Sequence, residues 1–504
     1  MKKILLMLAM LLPCVGAWAQ VDLSGYVGCE VSFTNIQKDG TTKYTLYINE
    51  NNELALSTTP AEELGGVAKF FVEKRANNKY SFYNREKQLY MIWRGLNGGY
   101  NSDKGVLAEY NATYCDWTVY TGAELASTPT YYFVSKRSNG TRDGSLVVKK
   151  AGPVFDGWDN SQALADAYSN LYNIQIVTNR INYFRLKGYS SNYIDATSIY
   201  NNANATYGQM SMKSDENCNL AGTIFYYDNE NKFLNYATGT YVCVGREIAA
   251  IGADAGKNTA WDIYCSASKD QFKLYGTYQD NGTKNVWLHD NSGNRADRCS
   301  NEADHANTTH SWILEKVTSL PVTITTAQYA TFYAPVAVEV PEGVTAHTVT
   351  LNGEWATLSE ALEVIPSNTG VVLFSETADT YNFAITDDVE AISGNALLGS
   401  AATTYFTTAG TYYALSLVDG VVGFYKDEFK NNRFQNNSHK AYLYLPETSA
   451  ASAFKFRFEG STTAIESVIN NNANAPIYDL SGRRVNNAVK GGIYIQNGKK
   501  FIVK

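Results

Sequence analysis

Five histidines serve all 504 residues, and three of them lie close together: His289, His305 and His310, with Asp290 and Asp304 beside them. Imidazole and carboxylate together could hold a divalent metal, which needs three or four such ligands converging on one point. The spacing argues against it. His305 and His310 stand five apart in a loop-like stretch rich in Gly, Asn and Thr, without the HExxH pattern that puts two imidazoles on one helix face. No CxxC pair is present for a zinc ribbon. The histidines therefore read as loop residues, and no metal or cofactor is expected. Nucleophile and phosphate chemistry find no support either, since there is no GxSxG elbow, Walker loop or dinucleotide fingerprint. Carboxylates are numerous and their pairing is spatial, so a hydrolytic pair stays open. Asp156, Asp159 and Asp166 surround Trp158, but the GWDN there reads first as a turn.

Recognition is the chemistry the side chains favour. The chain carries 37 Tyr, 21 Phe and 8 Trp. Sugars are held by an aromatic face together with a few planar side chains able to make paired hydrogen bonds, commonly in shallow sites. Trp93, in Met91-Ile92-Trp93-Arg94-Gly95, reads as an exposed platform of this kind, or equally as an edge contact between domains.

The elements that must position such groups are strands. Tyr, Thr, Asn and Gly dominate, Pro is scarce at 10, and long helix formers are few, which is the composition of an all-β protein with many turns. The length predicts three or four domains of roughly 100–150 residues. A net charge of −7 offers no basic stripe for phosphates, so nucleic acid is excluded as a partner.

Between 182 and 317 three similar stretches recur. Tyr183-Phe184-Arg185-Leu186 leads to Tyr193-Ile194-Asp195, Ile224-Phe225-Tyr226-Tyr227 leads to Phe233-Leu234-Asn235, and Phe272-Lys273-Leu274-Tyr275 leads to Val286-Trp287-Leu288-His289. Trp261 and Trp312 open the closing strands and are placed to plug a shared core. Three such units about a pseudo-threefold axis resemble a ricin-type β-trefoil, which removes sheet edges by closing a small barrel. That resemblance implies, in each repeat, an Asp after the second strand, a loop aromatic and a Gln-x-Trp. Asp195 matches the Asp, with Tyr200 or Tyr207 as the ring, and Gln209 the Gln, although Ser211 stands where Trp would be. Asn235 replaces the Asp in the second repeat, where Thr259 precedes Trp261. Trp287, His289 and Asp290 represent the third, with His310 two before Trp312.

The expected architecture is all-β: two β-trefoil-like domains (20–178 and 179–317), a β-sandwich-like module (318–460), an Asn-rich linker (461–476) and a short β tail (477–504). The first domain shows a fainter version of the repeat, with an irregular barrel or sandwich as its alternative. The third, with ATFYAPVAVEVPEGV, VIPSNTGVVL, DGVVGFYK and KAYLYLP, resembles a module that precedes sorting tails in Bacteroidetes surface proteins.

Both ends carry address information. Lys2 and Lys3, an apolar run over 4–12 and Ala17-Trp18-Ala19 predict a signal peptide over 1–19, too short to span a bilayer. No later stretch has the apolar length of a spanning helix. IYDLSGRRV, KGGIYI and GKK near the end resemble the C-terminal sorting signals of type IX secretion, implying a secretion-machinery partner and a secreted or outer-surface location. Beyond Cys14, six cysteines remain, Cys29 and Cys115 early and Cys218, Cys243, Cys265 and Cys299 later; disulfides are open, with three connectivities for the second set. The expected function is non-catalytic binding, glycan recognition through trefoil loops, with a surface protein as the other ligand class. A hydrolase with a motif-free site and a protease-inhibitor or scaffold trefoil are the alternatives.

Overall fold

The computed structural model describes residues 20–502 except 38, 95–103, 123–127, 137–142, 150–154, 160–167, 170, 181, 201–207, 229, 252–256, 267–269, 300–307, 408–409, 430–431, 459–475, 480–482, 486–492 and 497–498. The expected signal peptide, the linker, Tyr207, Asp166, Asp304 and His305 lie outside the described residues.

The first domain is a closed barrel capped by hairpins. Its six barrel strands pair in a ring: Glu30–Ile36, Phe70–Arg75, Lys79–Asn84, Thr118–Thr121, Tyr131–Lys136 and Tyr172–Thr178, the last returning to the first. Three hairpins stand between them, Lys43–Ile48 with Leu54–Ser57, Leu89–Arg94 with Lys104–Ala108, and Asp143–Lys149 with Phe155–Asp159. This is the β-trefoil plan. Gly157, Trp158 and Asp159 of the GWDN segment accordingly lie in a strand rather than a turn, paired with Leu146, Ser145 and Gly144. Phe33, Phe82 and Phe133, one from the first strand of each repeat, meet on the axis with ring centroids 5.1–5.4 Å apart, near edge-to-face.

The second trefoil repeats the plan with Tyr183–Lys187, Ile224–Tyr227, Phe233–Asn235, Asp262–Cys265, Phe272–Gln279 and Ile313–Lys316 as its ring. Its hairpins are Tyr193–Tyr200 with Gln209–Lys213, Tyr241–Val242 with Ala250–Ile251, and Thr283–Asn291 with Arg295–Cys299. The repeat frame differs from the sequence reading. Ile224–Tyr227 closes the first repeat, and the second begins at Phe233. Trp117, Trp261 and Trp312, fully buried, each precede a closing strand and donate the indole N–H to a carbonyl of their own repeat's second strand: Met91 at 2.9 Å, Val242 at 3.1 Å and Leu288 at 3.0 Å.

The trefoils dock directly. Phe71 packs against Phe272 with the rings tilted and their centroids 5.5 Å apart, and the Tyr83 hydroxyl donates to the Ser266 carbonyl at 3.2 Å. At the centre Glu73, wholly buried, accepts the Cys265 N–H at 2.6 Å and the Tyr90 hydroxyl at 3.2 Å and pairs with Arg75. Burial pushes its carboxyl up, and the guanidinium opposes that.

The third domain is layered. Seven strands form one sheet, in the order Val349–Asn352, Trp355–Leu358, Ala453–Phe458, Val421–Lys426, Thr411–Val418, Lys440–Leu445 and Leu397–Ser400. A smaller sheet of Tyr329–Phe332, Val371–Phe374 and Thr345–His347 packs against it. Val372 points into the core beneath the large sheet while Val371 and Leu373 enter the opposite core, which is why this strand reads as an unbroken apolar run. A four-stranded tail sheet follows, built from Ile477–Asp479, Arg484–Val485, Ile493–Gln496 and Lys499–Ile502. All six described cysteines are free thiols. No helix among the described residues is long and apolar enough to cross a membrane.

His439 seals the joint between the second trefoil and this module. Its ring lies 4.3 Å from that of Tyr236, and Nδ1 is 2.9 Å from the Tyr333 carbonyl. Burial pushes its pKa down to about 4. An unfolded chain, titrating near 6.5, takes up this proton first, so stability present at neutral pH drains away between about pH 6.5 and 4, by about 3 kcal/mol in all. Thermal melts at pH 7 and pH 4.5 check this: His439→Asn should flatten the acid slope, and an unchanged slope would assign it to other groups.

Candidate functional site

The first and third hairpins of the second trefoil meet edge to edge, with Ser211 opposite Arg295 and the Met212 N–H bonded to the Asn294 carbonyl at 2.9 Å. Asp297 becomes a hub at this seam. It accepts from Asn291 Nδ2 at 3.0 Å, Arg295 Nε at 3.1 Å, Gln209 Nε2 at 3.3 Å and the Arg298 N–H at 2.9 Å. Burial works against its charge, but the bonds from Asn291, Arg298 and Arg295 outweigh it and hold the carboxyl below its usual range. Arg295 lies 5.0 Å over the half-buried Tyr200 ring. His289 faces Asp297 across the hairpin and sits edge-on to His310 at 5.2 Å; burial lowers its pKa.

Arg298 carries the seam into an open cleft. Its backbone N–H bonds Asp297, while its Nε donates to the Arg246 carbonyl at 3.3 Å. The cleft, about 570 Å³, is lined by Arg246, Glu247, Asn258, Tyr278, Gln279 and Asp280 among others. Arg246 grips a single oxygen of Asp280, Nε at 2.8 Å and Nη2 at 2.7 Å from Oδ2, so the pair presents a nearly neutral edge to solvent and leaves Oδ1 free of that guanidinium. Tyr278 stands half-buried beside them.

Of the residues anticipated from sequence, Tyr200, His289 and Gln209 come together at this seam. Ser211 and His310 border it, whereas Asp195, Asn235, Asp290, Trp287 and Trp93 are taken up elsewhere in the fold. Asp195 is buried, and its oxygens accept the Thr197 N–H and hydroxyl at 2.9 and 2.6 Å and the Asn219 N–H at 2.9 Å. A Cβ on Gly222 would stand 2.3 Å from that carboxylate, so the loop is moulded around it. Asn235 lies on a barrel strand, fully buried, donating to the carbonyls of Gly222 and Ile224 at 2.8 and 3.1 Å. Gln209 and Ser211 occupy the third strand of their repeat; the place of its plugging Trp falls to Thr223. Asp290, also fully buried, accepts the Ser190 N–H and hydroxyl and the Gly293 N–H. Trp287 is buried against Tyr275 at 4.9 Å and Tyr264 at 5.8 Å.

Trp93 is a correction. It is wholly buried, because its strand is covered on both sides: Met91 and Trp93 enter the first trefoil's core while Tyr90 and Ile92 enter the core shared with the second. Nothing local in the sequence marks Asp297, Arg298 or the Arg246–Asp280 pair. Among the described residues no three His, Cys, Asp or Glu side chains gather to hold a metal.

No family model matches the chain, and no curated protein does. Among solved structures, the crystal structure of Hemolytic Lectin CEL-III aligns over 65% of this chain and 71% of that one, at 13% identity and a TM-score of 0.21, too loose a likeness to bear on fold or ligand.

Proposed function

We propose that this is an exported, non-catalytic surface or secreted protein that recognises glycans along the polar strip of its second trefoil. The carrying observation is the continuity of that strip, from Tyr200 and Arg295 through Asp297 and Arg298 to the Arg246–Asp280 pair and Tyr278. Neighbouring sugar hydroxyls suit planar groups that both donate and accept, and the two tyrosines offer faces for the C–H side of a ring. Two of the strip's three guanidiniums are already matched by carboxylates, Arg295 by Asp297 and Arg246 by Asp280, which favours neutral polyols over anions there. Each contact is weak, so affinity would come from several acting together. The lysine-led apolar start and the IYDLSGRRV tail support the export part of the reading, with the secretion machinery as a partner.

A glycan array probed with the chain lacking 1–19 tests it. Binding is expected, with Tyr278→Ala weakening it by about tenfold, the loss of a stacked ring worth about 1 kcal/mol or more. Silence across host and plant glycans would sink the reading, and turnover of any polysaccharide by the purified chain would replace it with a hydrolase. Protease shaving of intact cells tests export, since a protected, intracellular chain would contradict it.

A further inference from the structure

A second cleft lies where the trefoils meet, away from the polar strip, and its walls come from both domains. Arg75, Tyr90 and Tyr110 of the first trefoil face Tyr264 and Lys273 of the second around an open volume of about 490 Å³, within the range of small-ligand sites. The arrangement is built around one guanidinium. Arg75 lies 4.0 Å from the Tyr110 ring and 4.3 Å from the Tyr264 ring, so a single cation is clasped between two tyrosines from different domains.

Arg75 has little left to offer a ligand. Its Nε donates to Ser81 Oγ at 2.9 Å, its Nη2 bonds Glu73, and Asp116 stands 3.8 Å away. It acts as a spacer that fixes the rings. Tyr110 is still 36% exposed, with Arg75 against one face and its hydroxyl held by Asp116 at 3.2 Å. On the other wall the aromatic surface continues, Tyr264 to Tyr275 at 5.9 Å and Tyr275 to Trp287 at 4.9 Å. Gln88 and Glu109, both exposed, add an amide and a carboxylate at the rim.

We infer that this cleft is a second glycan site, taking a neutral oligosaccharide whose rings stack on Tyr110 and Tyr264 and whose hydroxyls meet Gln88 and Glu109. An anion finds the cleft's guanidinium already matched by Glu73 and Asp116. A rigid pair of rings held in advance suits a ligand with weak individual contacts, because little ordering remains to be done on binding. The inference rests on the glycan reading above and adds to it a site made only when both trefoils are docked.

The probes are neutral gluco-, manno-, xylo- and galacto-oligosaccharides titrated calorimetrically into the chain lacking 1–19. Tyr110→Ala is expected to weaken the bound probe about tenfold, and Tyr110→Phe, which keeps the ring, to leave it within about twofold. Hydrogen exchange on the unmutated chain avoids any folding defect of the variants: the bound probe should protect 104–110 and 262–266. Binding that survives Tyr110→Ala, is lost in Tyr278→Ala and protects only segments of the strip would overturn the cleft and leave the strip standing. Absence of binding by any probe and on the array would remove both.

Discussion

Glu73→Ala should destabilise the joined trefoils by about 3–5 kcal/mol, the range found when one member of a buried ion pair is removed. The carboxylate is fully buried and holds groups from both domains: Arg75 and Tyr90 from the first, the Cys265 N–H from the second. Removing it leaves a guanidinium whose side chain is only 9% exposed with the more distant Asp116, at 3.8 Å, as its carboxylate, and leaves a backbone donor without its acceptor. Glu73→Gln should cost less, since an amide oxygen can still accept from Cys265. Urea unfolding followed by intrinsic fluorescence measures the difference. A midpoint unmoved in Glu73→Ala would mean that water reaches Arg75 and the interface is looser than described.

Trp312→Ala should cost about 3–5 kcal/mol, as large-to-small changes at buried indoles do. The ring is fully buried in the second trefoil, its N–H bonded to Leu288, while the backbones of Trp312 and Phe272 exchange two hydrogen bonds of 2.8 Å that close the barrel. Trp312→Phe keeps most of the volume and loses the bond, so about 1 kcal/mol is expected from that alone, with a further packing cost. Guanidinium unfolding of the variants checks the pair. A loss below about 1 kcal/mol in Trp312→Ala would show that the indole does not plug this barrel.

The barrels were largely legible because their signals are local. Alternating aromatic strands and Trp261 and Trp312 announce a repeat within a few residues. The frame slipped at Ile224 because the first repeat has Thr223 where its siblings have Trp, so its closing strand lacks its usual marker. Trp93 misled for a related reason. Tyr90, Met91, Ile92 and Trp93 are all buried, and a strand covered on both faces shows no alternation to say which side is wet. The polar strip was invisible for the opposite cause: Gln209 and Asp297 meet across 88 residues of chain, and Arg246 and Asp280 across 34. Asp195 matched the expected position, yet the fold spends its oxygens on Thr197 and Asn219.

The placement of Ala453–Phe458 has a mechanical consequence. This strand, the last of the third domain's large sheet, runs parallel to Trp355–Leu358 on one side and antiparallel to Val421–Lys426 on the other. A load directed along the axis of this strand meets ladders on both flanks at once. Hydrogen bonds on both flanks then share the load in shear instead of opening one after another like a zip. Detaching Ala453–Phe458 therefore means breaking hydrogen bonds along two flanks, which an edge strand such as Leu397–Ser400 does not require.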